Sequence, residues 1–207
     1  MIPRLYAIVD AGVLAAPGVA LEGFAHELRA AGVELVQYRD KAGSPQAVLR
    51  AASVLREVFS GAACRLVLND RADLAVLAGF DGVHVGQDDL SPEDARRVVG
   101  ANRVVGASTH TDDQVRAADS TGADYIAIGP AFATGTKIDT EPVVGLEGIR
   151  RARALTAKPL VAIGGITRAN ARSVLDAGAD SIAVISALLA PGESVEQVAR
   201  DFLELLR

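Results

Sequence analysis

Residues 36 to 41 read VQYRDK. Side chains two apart on an extended segment share a face, so Gln37, Arg39 and Lys41 would project together from one side of a strand end. An amide and two cations in a row suit an anionic ligand; the alternative is an exposed edge strand with solvated charges. Two carboxylate-bearing segments accompany them: LNDR, with Asn69 and Asp70, and GQDD, with Asp88 and Asp89. Carboxylates at neighbouring strand ends would suit one hard cation with oxygen ligands, and magnesium is the natural choice if a diphosphate completes its shell. Each segment also has a plainer explanation. Asn69 and Asp70 could cap a helix starting near Ala72, and GQDD could be a loop leading to a cap at Ser91. Spacing does not decide which of Asp88 and Asp89 points inward.

Gly164-Gly165 ahead of Thr167 would leave backbone N–H groups bare at a helix start, which favours a phosphate. A tight turn needing positive φ explains one glycine more readily than two. His26, His84 and His110 are scattered. His26 belongs on a helical surface, His84 sits in a strand among valines as a packed or hydrogen-bonded residue, and His110 follows Ser108 closely enough to border a site. No histidine forms a recognisable acid-base pair, no serine sits in a nucleophile motif, and no His/Cys cluster has metal-ligand spacing. The chemistry implied is electrostatic: cations, one metal ion and hydrogen-bond donors around an anionic leaving group.

Positioning these groups falls to a regular alternation. Eight β-rich runs recur, at LYAIVD, LVQYR, RLVLND, GVHVG, RVVGAS, YIAIGP, LVAIGG and SIAVIS, with apolar residues at helical spacing between them, as at Val48, Ala51, Ala52 and Leu55. Ser91-Pro92-Glu93 is a helix start, and Thr167 is a second candidate cap. AAGVELV, STGADYI and DAGADSI each place Gly at a helix stop, then an acid, then a strand. Alternating strands and helices imply a parallel sheet, and eight units suggest an α/β fold of the closed (β/α)8 TIM barrel type, with an open doubly wound sheet as the alternative. The polar residues fall after the strands: Gln37, Arg39 and Lys41, then Asn69 and Asp70, then Gln87 to Asp89, Ser108, Thr134 to Lys137, and Ser186. That is the end where this fold carries active sites. Residues 131–145 break the rhythm and read as an active-site loop.

The chain has 207 residues, half of them apolar, which suits one domain over 1–207. A net charge of −5 and a pI near 5.2 argue against a nucleic-acid or anionic-membrane binder. Cys64 is the only cysteine, so no intrachain disulfide can form. With no membrane-length apolar run and no signal-like start, a cytoplasmic location is expected. Helical faces rich in Ala, Val and Leu would permit a homo-oligomer.

Taken in order, QYRDK, LNDR, GVHVGQDD, GASTH, IAIGPAFATGTK, VAIGGI and AVIS resemble thiamine phosphate synthase, and the resemblance covers almost the whole chain. It implies a transferase with a compact (β/α)8 barrel. The reaction would couple 4-amino-2-methyl-5-(diphosphooxymethyl)pyrimidine with a thiazole phosphate, releasing diphosphate. Carried over residue by residue, the resemblance puts the pyrimidine diphosphate against Gln37, Arg39, Lys41, Asn69, Ser108 and Lys137. Tyr38 and Asp40 fall within the same motif, Tyr38 facing the other side of the strand. Magnesium would sit on Asp70 and Asp89, and the thiazole phosphate on Thr134, Gly135, Thr136, Gly165, Ile185 and Ser186. Arg39, Lys41, Lys137 and Ser108 would be the catalytic groups. Ala133 stands where such a loop often has Pro. The rival readings are a thiazole tautomerase of the same superfamily and a non-catalytic phosphate-binding barrel.

Overall fold

The computed structural model describes residues 2–135 and 141–207. The strands are β1 (Leu5–Asp10), β2 (Leu35–Arg39), β3 (Arg65–Asn69), β4 (Gly82–Val85), β5 (Val104–Thr109), β6 (Tyr125–Ile128), β7 (Leu160–Ile163) and β8 (Ser181–Val184). Each pairs in parallel with the next, and β8 returns to β1 with Tyr6 opposite Ala183, so the barrel is closed in sequence order. Closure decides against the open sheet. The helices that cover it are α1 (Ala11–Ala15), α2 (Leu21–Ala31), α3 (Pro45–Val58), α4 (Ala72–Ala78), α5 (Pro92–Val99), α6 (Asp112–Asp119), α7 (Gly145–Leu155), α8 (Ala171–Asp176) and α9 (Val195–Leu205).

Alternation along each strand sorts the core into two parts. Tyr6, Ile8, Leu35, Val67, Tyr125, Ala127, Val161 and Ala183 pack together inside the barrel. A larger cluster, including Ala7, Val36, Tyr38, Leu68, Val83, Ile126 and Ile182, fills the layer between strands and helices. Inside, a Cβ at Gly106 would run into the ring of Tyr125, so the missing side chain makes room for that tyrosine.

The helix starts follow the predicted chemistry in part. Ser91 accepts from the Asp94 N–H with Pro92 behind it. Thr111 and Gln114 form a reciprocal capping box at α6. Thr167 does not cap α8: the Asn170 side chain turns back to accept the Thr167 N–H at 2.8 Å and donates to the Gly165 carbonyl at 3.0 Å.

The acids at the helix-to-strand joints have a shared task. Asp81, Asp124 and Asp180 each donate their backbone N–H to one residue of the preceding strand and accept that residue's N–H with a carboxylate oxygen. The partners are Leu66, Val105 and Leu160, at 2.7 to 2.8 Å. Two bonds to a single residue clamp neighbouring strands at the N-terminal end of the barrel and satisfy N–H groups that the ladder leaves over. No helix among the described residues is long and apolar enough to cross a membrane.

Candidate active site

At the C-terminal end, β1 and β2 stop in register, with Asp10 opposite Arg39. The Arg39 guanidinium forms an ion pair with the Asp10 carboxylate, whose other oxygen accepts the Val13 N–H at 3.0 Å and caps α1. Asp10 is buried, so this pair fixes the Arg39 head at the barrel mouth. The strand ends at Arg39, and Lys41 lies in the turn beyond it. Its ammonium nevertheless returns to the site, 2.5 Å from Asp70 Oδ2.

Asp70 has φ of 62°, the only non-glycine residue among those described in the left-handed region. Its N–H donates to the His84 carbonyl at 2.7 Å, extending the β3–β4 pairing one residue past the strand and turning the carboxylate toward β4. Aspartate tolerates this conformation better than most residues, and such outliers gather at functional sites. Asp89 meets it from the β4–α5 turn, where Asp89 Oδ2 accepts the Gly86 N–H at 2.8 Å. Burial, together with a hydrogen bond and like charge from Asp89, holds the Asp70 carboxyl above the usual range, against the opposing pull of Lys41. Asp88 is exposed to solvent, so the choice left open by spacing falls to Asp89.

Below this cluster lies a small polar hollow lined by Tyr6, Gln37, Arg39, Asn69, His84 and Ser108, with Ile163, Ala183 and Ile185 among its apolar walls. Gln37 donates to Tyr6 Oη at 2.9 Å, and the Tyr6 and Tyr125 hydroxyls are 2.9 Å apart. His84 reaches Tyr125 Oη through Nδ1 at 2.9 Å and Ser108 Oγ through Nε2 at 2.8 Å. Its ring stacks on Tyr125 with centroids 5.5 Å apart. Burial raises both tyrosine hydroxyls well above their ordinary range, so they stay protonated. The Gln87 amide closes the rim, donating to the Ser108 carbonyl at 2.6 Å.

A second cavity of about 210 Å³ opens beside the hollow, between the ends of β6, β7 and β8. Ile163, Ala183 and Ile185 line both spaces, so they share a wall. His110, Pro130, Thr134, Gly164, Gly165, Ile166 and Ser186 surround the rest. His110 is held by the Gly129 carbonyl, 2.7 Å from Nδ1. Both Gly164 and Gly165 have positive φ, and a Cβ on either would strike the 130–133 turn. The turn therefore accounts for both glycines, and the phosphate expectation loses that support; it rests instead on the cavity they border.

Three comparisons bear on this arrangement. The family model for thiamine monophosphate synthase matches residues 5–188. A thiamine-phosphate synthase of Koribacter versatilis is 56% identical over 207 residues, covering 99% of this chain and 96% of that protein. The chain belongs to the thiamine monophosphate synthase family. It is accordingly an enzyme of the transferase class. A thiamine-phosphate synthase of Chloroflexus aurantiacus is 41% identical over 98% of this chain and 92% of its own length. Among solved structures, the thiamine phosphate pyrophosphorylase of Pyrococcus furiosus superposes with a TM-score of 0.84 at 31% identity, covering 98% and 95% of the two chains.

Within this family barrel the structure brings Gln37, Arg39, Asn69 and Ser108 to one hollow and Lys41, Asp70 and Asp89 to its rim. Thr134, Gly165, Ile185 and Ser186 border the adjoining cavity. Thr136 and Lys137 lie outside the described residues, as does the middle of the 131–145 loop. Gly135 is exposed and lines neither space. Tyr38 packs in the helix-facing layer, where burial and the neighbouring Asp40 push its hydroxyl up to about 12. Asp40 accepts the N–H groups of Ala42 and Gly43 and shapes the turn that carries Lys41. Neither lines the hollow or the adjoining cavity. Asp10, Tyr6 and Tyr125 were missed from sequence; Asp10 ends β1 just as Arg39 ends β2, which was the available signal.

The residues present fit a divalent cation. Arg39 and Lys41 face three carboxylates, Asp10, Asp70 and Asp89, so these five groups carry an excess of negative charge where an anionic substrate would enter. No group of three or more His, Cys, Asp or Glu side chains able to hold a metal occurs among the described residues. Asp70 and Asp89 would thus need oxygen ligands from substrate and water, the pattern magnesium adopts with phosphates.

Proposed function

We propose that this enzyme is a thiamine-phosphate synthase coupling 4-amino-2-methyl-5-(diphosphooxymethyl)pyrimidine to a thiazole phosphate with loss of diphosphate. The observation that carries the reading is the paired Asp70 and Asp89 carboxylates with Lys41 at the rim of a hollow lined by Gln37, Arg39, Asn69 and Ser108. Gln37, Asn69 and Ser108 would hold the pyrimidine, and Arg39, Lys41 and Lys137 would neutralise its diphosphate. Magnesium bound at Asp70 and Asp89 would supply further positive charge to the leaving group.

The methylene–oxygen bond breaks with its electron pair going to diphosphate. The pyrimidine-methyl cation left behind is stabilised by the ring amino group. The thiazole nitrogen then donates its lone pair to the methylene carbon, and no proton leaves that nitrogen. This balance fits a site without an acid-base pair, where alignment and charge neutralisation do the catalysis. The cavity bordered by Thr134, Gly165, Ile185 and Ser186 supports the thiazole phosphate placement, because it adjoins the polar hollow across Ile163, Ala183 and Ile185, which line both spaces.

Diphosphate release is the test, measured with both substrates, with each alone, and with and without magnesium. Release that needs both substrates and the metal, with thiamine phosphate as co-product, is expected. A folded sample that releases none would overturn the reading and favour the tautomerase or the phosphate-binding barrel.

A further inference from the structure

Tyr6, Tyr125 and His84 take no part in the chemistry above, yet they link two of the three groups assigned to the pyrimidine, Gln37 and Ser108. Gln37 stands on β2 and Ser108 on β5, and an unbroken run of hydrogen bonds joins them beneath the hollow. Each hydroxyl has one hydrogen, so the sense of the run is set from one end. Gln37 Nε2 donates to Tyr6 Oη. With Tyr6 accepting, its own hydrogen goes to Tyr125, and that of Tyr125 to His84 Nδ1. His84 then carries its proton on Nε2 and donates it to Ser108 Oγ. No buried side-chain nitrogen or oxygen among the described residues lacks a hydrogen-bond partner, so a reversal at one member must be passed along the rest.

We infer that Tyr6, Tyr125 and His84 are positioning residues that fix together the hydrogen-bonding sense of Gln37 and Ser108, and so select an aminopyrimidine over its oxo analogue. The inference rests on the coupling reaction proposed above. In the sense described, Gln37 presents its carbonyl oxygen to the hollow as an acceptor, and Ser108 presents its O–H as a donor. An exocyclic amino group offers a donor and a ring nitrogen an acceptor, the matching pair. A 4-oxo group offers an acceptor, which meets the Gln37 carbonyl unfavourably unless the whole run reverses. The site also preserves the run sterically. Gly106 leaves the space the Tyr125 ring fills, and that ring stacks on His84 while meeting Tyr6 edge-on, with centroids 6.0 Å apart.

Tyr125→Phe cuts the run at its centre, keeping the ring. Tyr6 then loses its acceptor and is free to donate to Gln37, which lets the amide turn over. Tyr6→Phe cuts it beside Gln37. The measurement is kcat/KM for the 4-amino pyrimidine diphosphate and for its 4-oxo analogue, in wild type and both variants, with thermal melts alongside. Each folded variant should lower the amino-to-oxo ratio by about tenfold or more. A wild-type enzyme that makes thiamine phosphate while both variants keep its ratio overturns this inference and leaves the function standing. A wild type inactive on the amino substrate overturns the function and this inference with it. Independently of any variant, 15N shifts of His84 in the wild-type protein should show the proton on Nε2; a proton on Nδ1 overturns the proposed sense.

Discussion

At the N-terminal end of the barrel Asp81, Asp124 and Asp180 each clamp one residue of a neighbouring strand, whereas at the C-terminal end Asp70 and Asp89 face each other, half-buried, from two adjacent turns. Asp124 and Asp180 add an arginine each, Arg96 and Arg153, so their charge is spent on the fold. Asp70 has one ammonium for two carboxylates, and burial with Asp89 raises its pKa. The same side chain is thus structural where its oxygens meet strand N–H groups and left with excess negative charge where they meet a second acid. Burial alone does not make the difference, since Asp10 is buried at the C-terminal end and fully engaged by Arg39 and the α1 cap.

One labelling rate and three substitutions test that contrast. The largest effect is expected at the quiet end. Burial, with Asp81 and Glu34 adding negative charge, pushes the Cys64 thiol from 9.0 up to about 12. At pH 8 its thiolate fraction, and with it the rate of iodoacetamide labelling, should be about a thousandfold below that of a thiol at the unshifted value. The sign is that of a raised group: the neutral thiol favours the folded state, a contribution fully present below pH 9 and lost as pH climbs from there to about 12. Labelling as fast as in unfolded protein would show this end to be open.

Next is Arg39→Met, which leaves the Asp10 carboxylate buried without its cation. It should cost about 3 kcal/mol in urea unfolding as well as lowering turnover. An unchanged midpoint would mean that Asp10 finds another partner. Asp180→Ala should cost about 1–2 kcal/mol, for the lost bond from the Leu160 N–H and the half-exposed ion pair with Arg153, with turnover kept. Turnover lost in a stably folded Asp180→Ala would tie the two ends together. The smallest effect is in pH dependence. Asp70 has a raised folded pKa, so its stabilising contribution is present below its unfolded value and lost as pH rises through the folded one. Melting temperatures of Asp70→Asn should therefore gain on wild type between acidic and neutral pH; a constant difference would deny the shift.

Much of this was legible in the chain, for physical reasons. Buried parallel strands read as apolar runs with Gly-bounded joints, and the eight runs are the eight strands of the closed barrel. Strand alternation correctly sent Gln37 and Arg39 inward and Tyr38 outward. It carried Lys41 on in the same extended row past the strand end, where the chain turns instead; the ion pair to Asp70 brings the ammonium back to the site. The acids of the STGAD and DAGAD joints were visible as a repeat, but their clamp depends on a partner strand that sequence does not specify. The Tyr6–Tyr125–His84 run joins β1, β6 and β4, so it exists only once the barrel closes.

The most direct test of the contrast is calorimetric titration of magnesium with inorganic diphosphate into wild type, Asp70→Asn and Asp124→Asn. Wild type and Asp124→Asn should bind the pair alike, while Asp70→Asn binds it at least about tenfold more weakly without loss of melting temperature. Equal binding by Asp70→Asn, or its loss in a folded Asp124→Asn, would contradict the assignment of the C-terminal carboxylates to the leaving group and its cation.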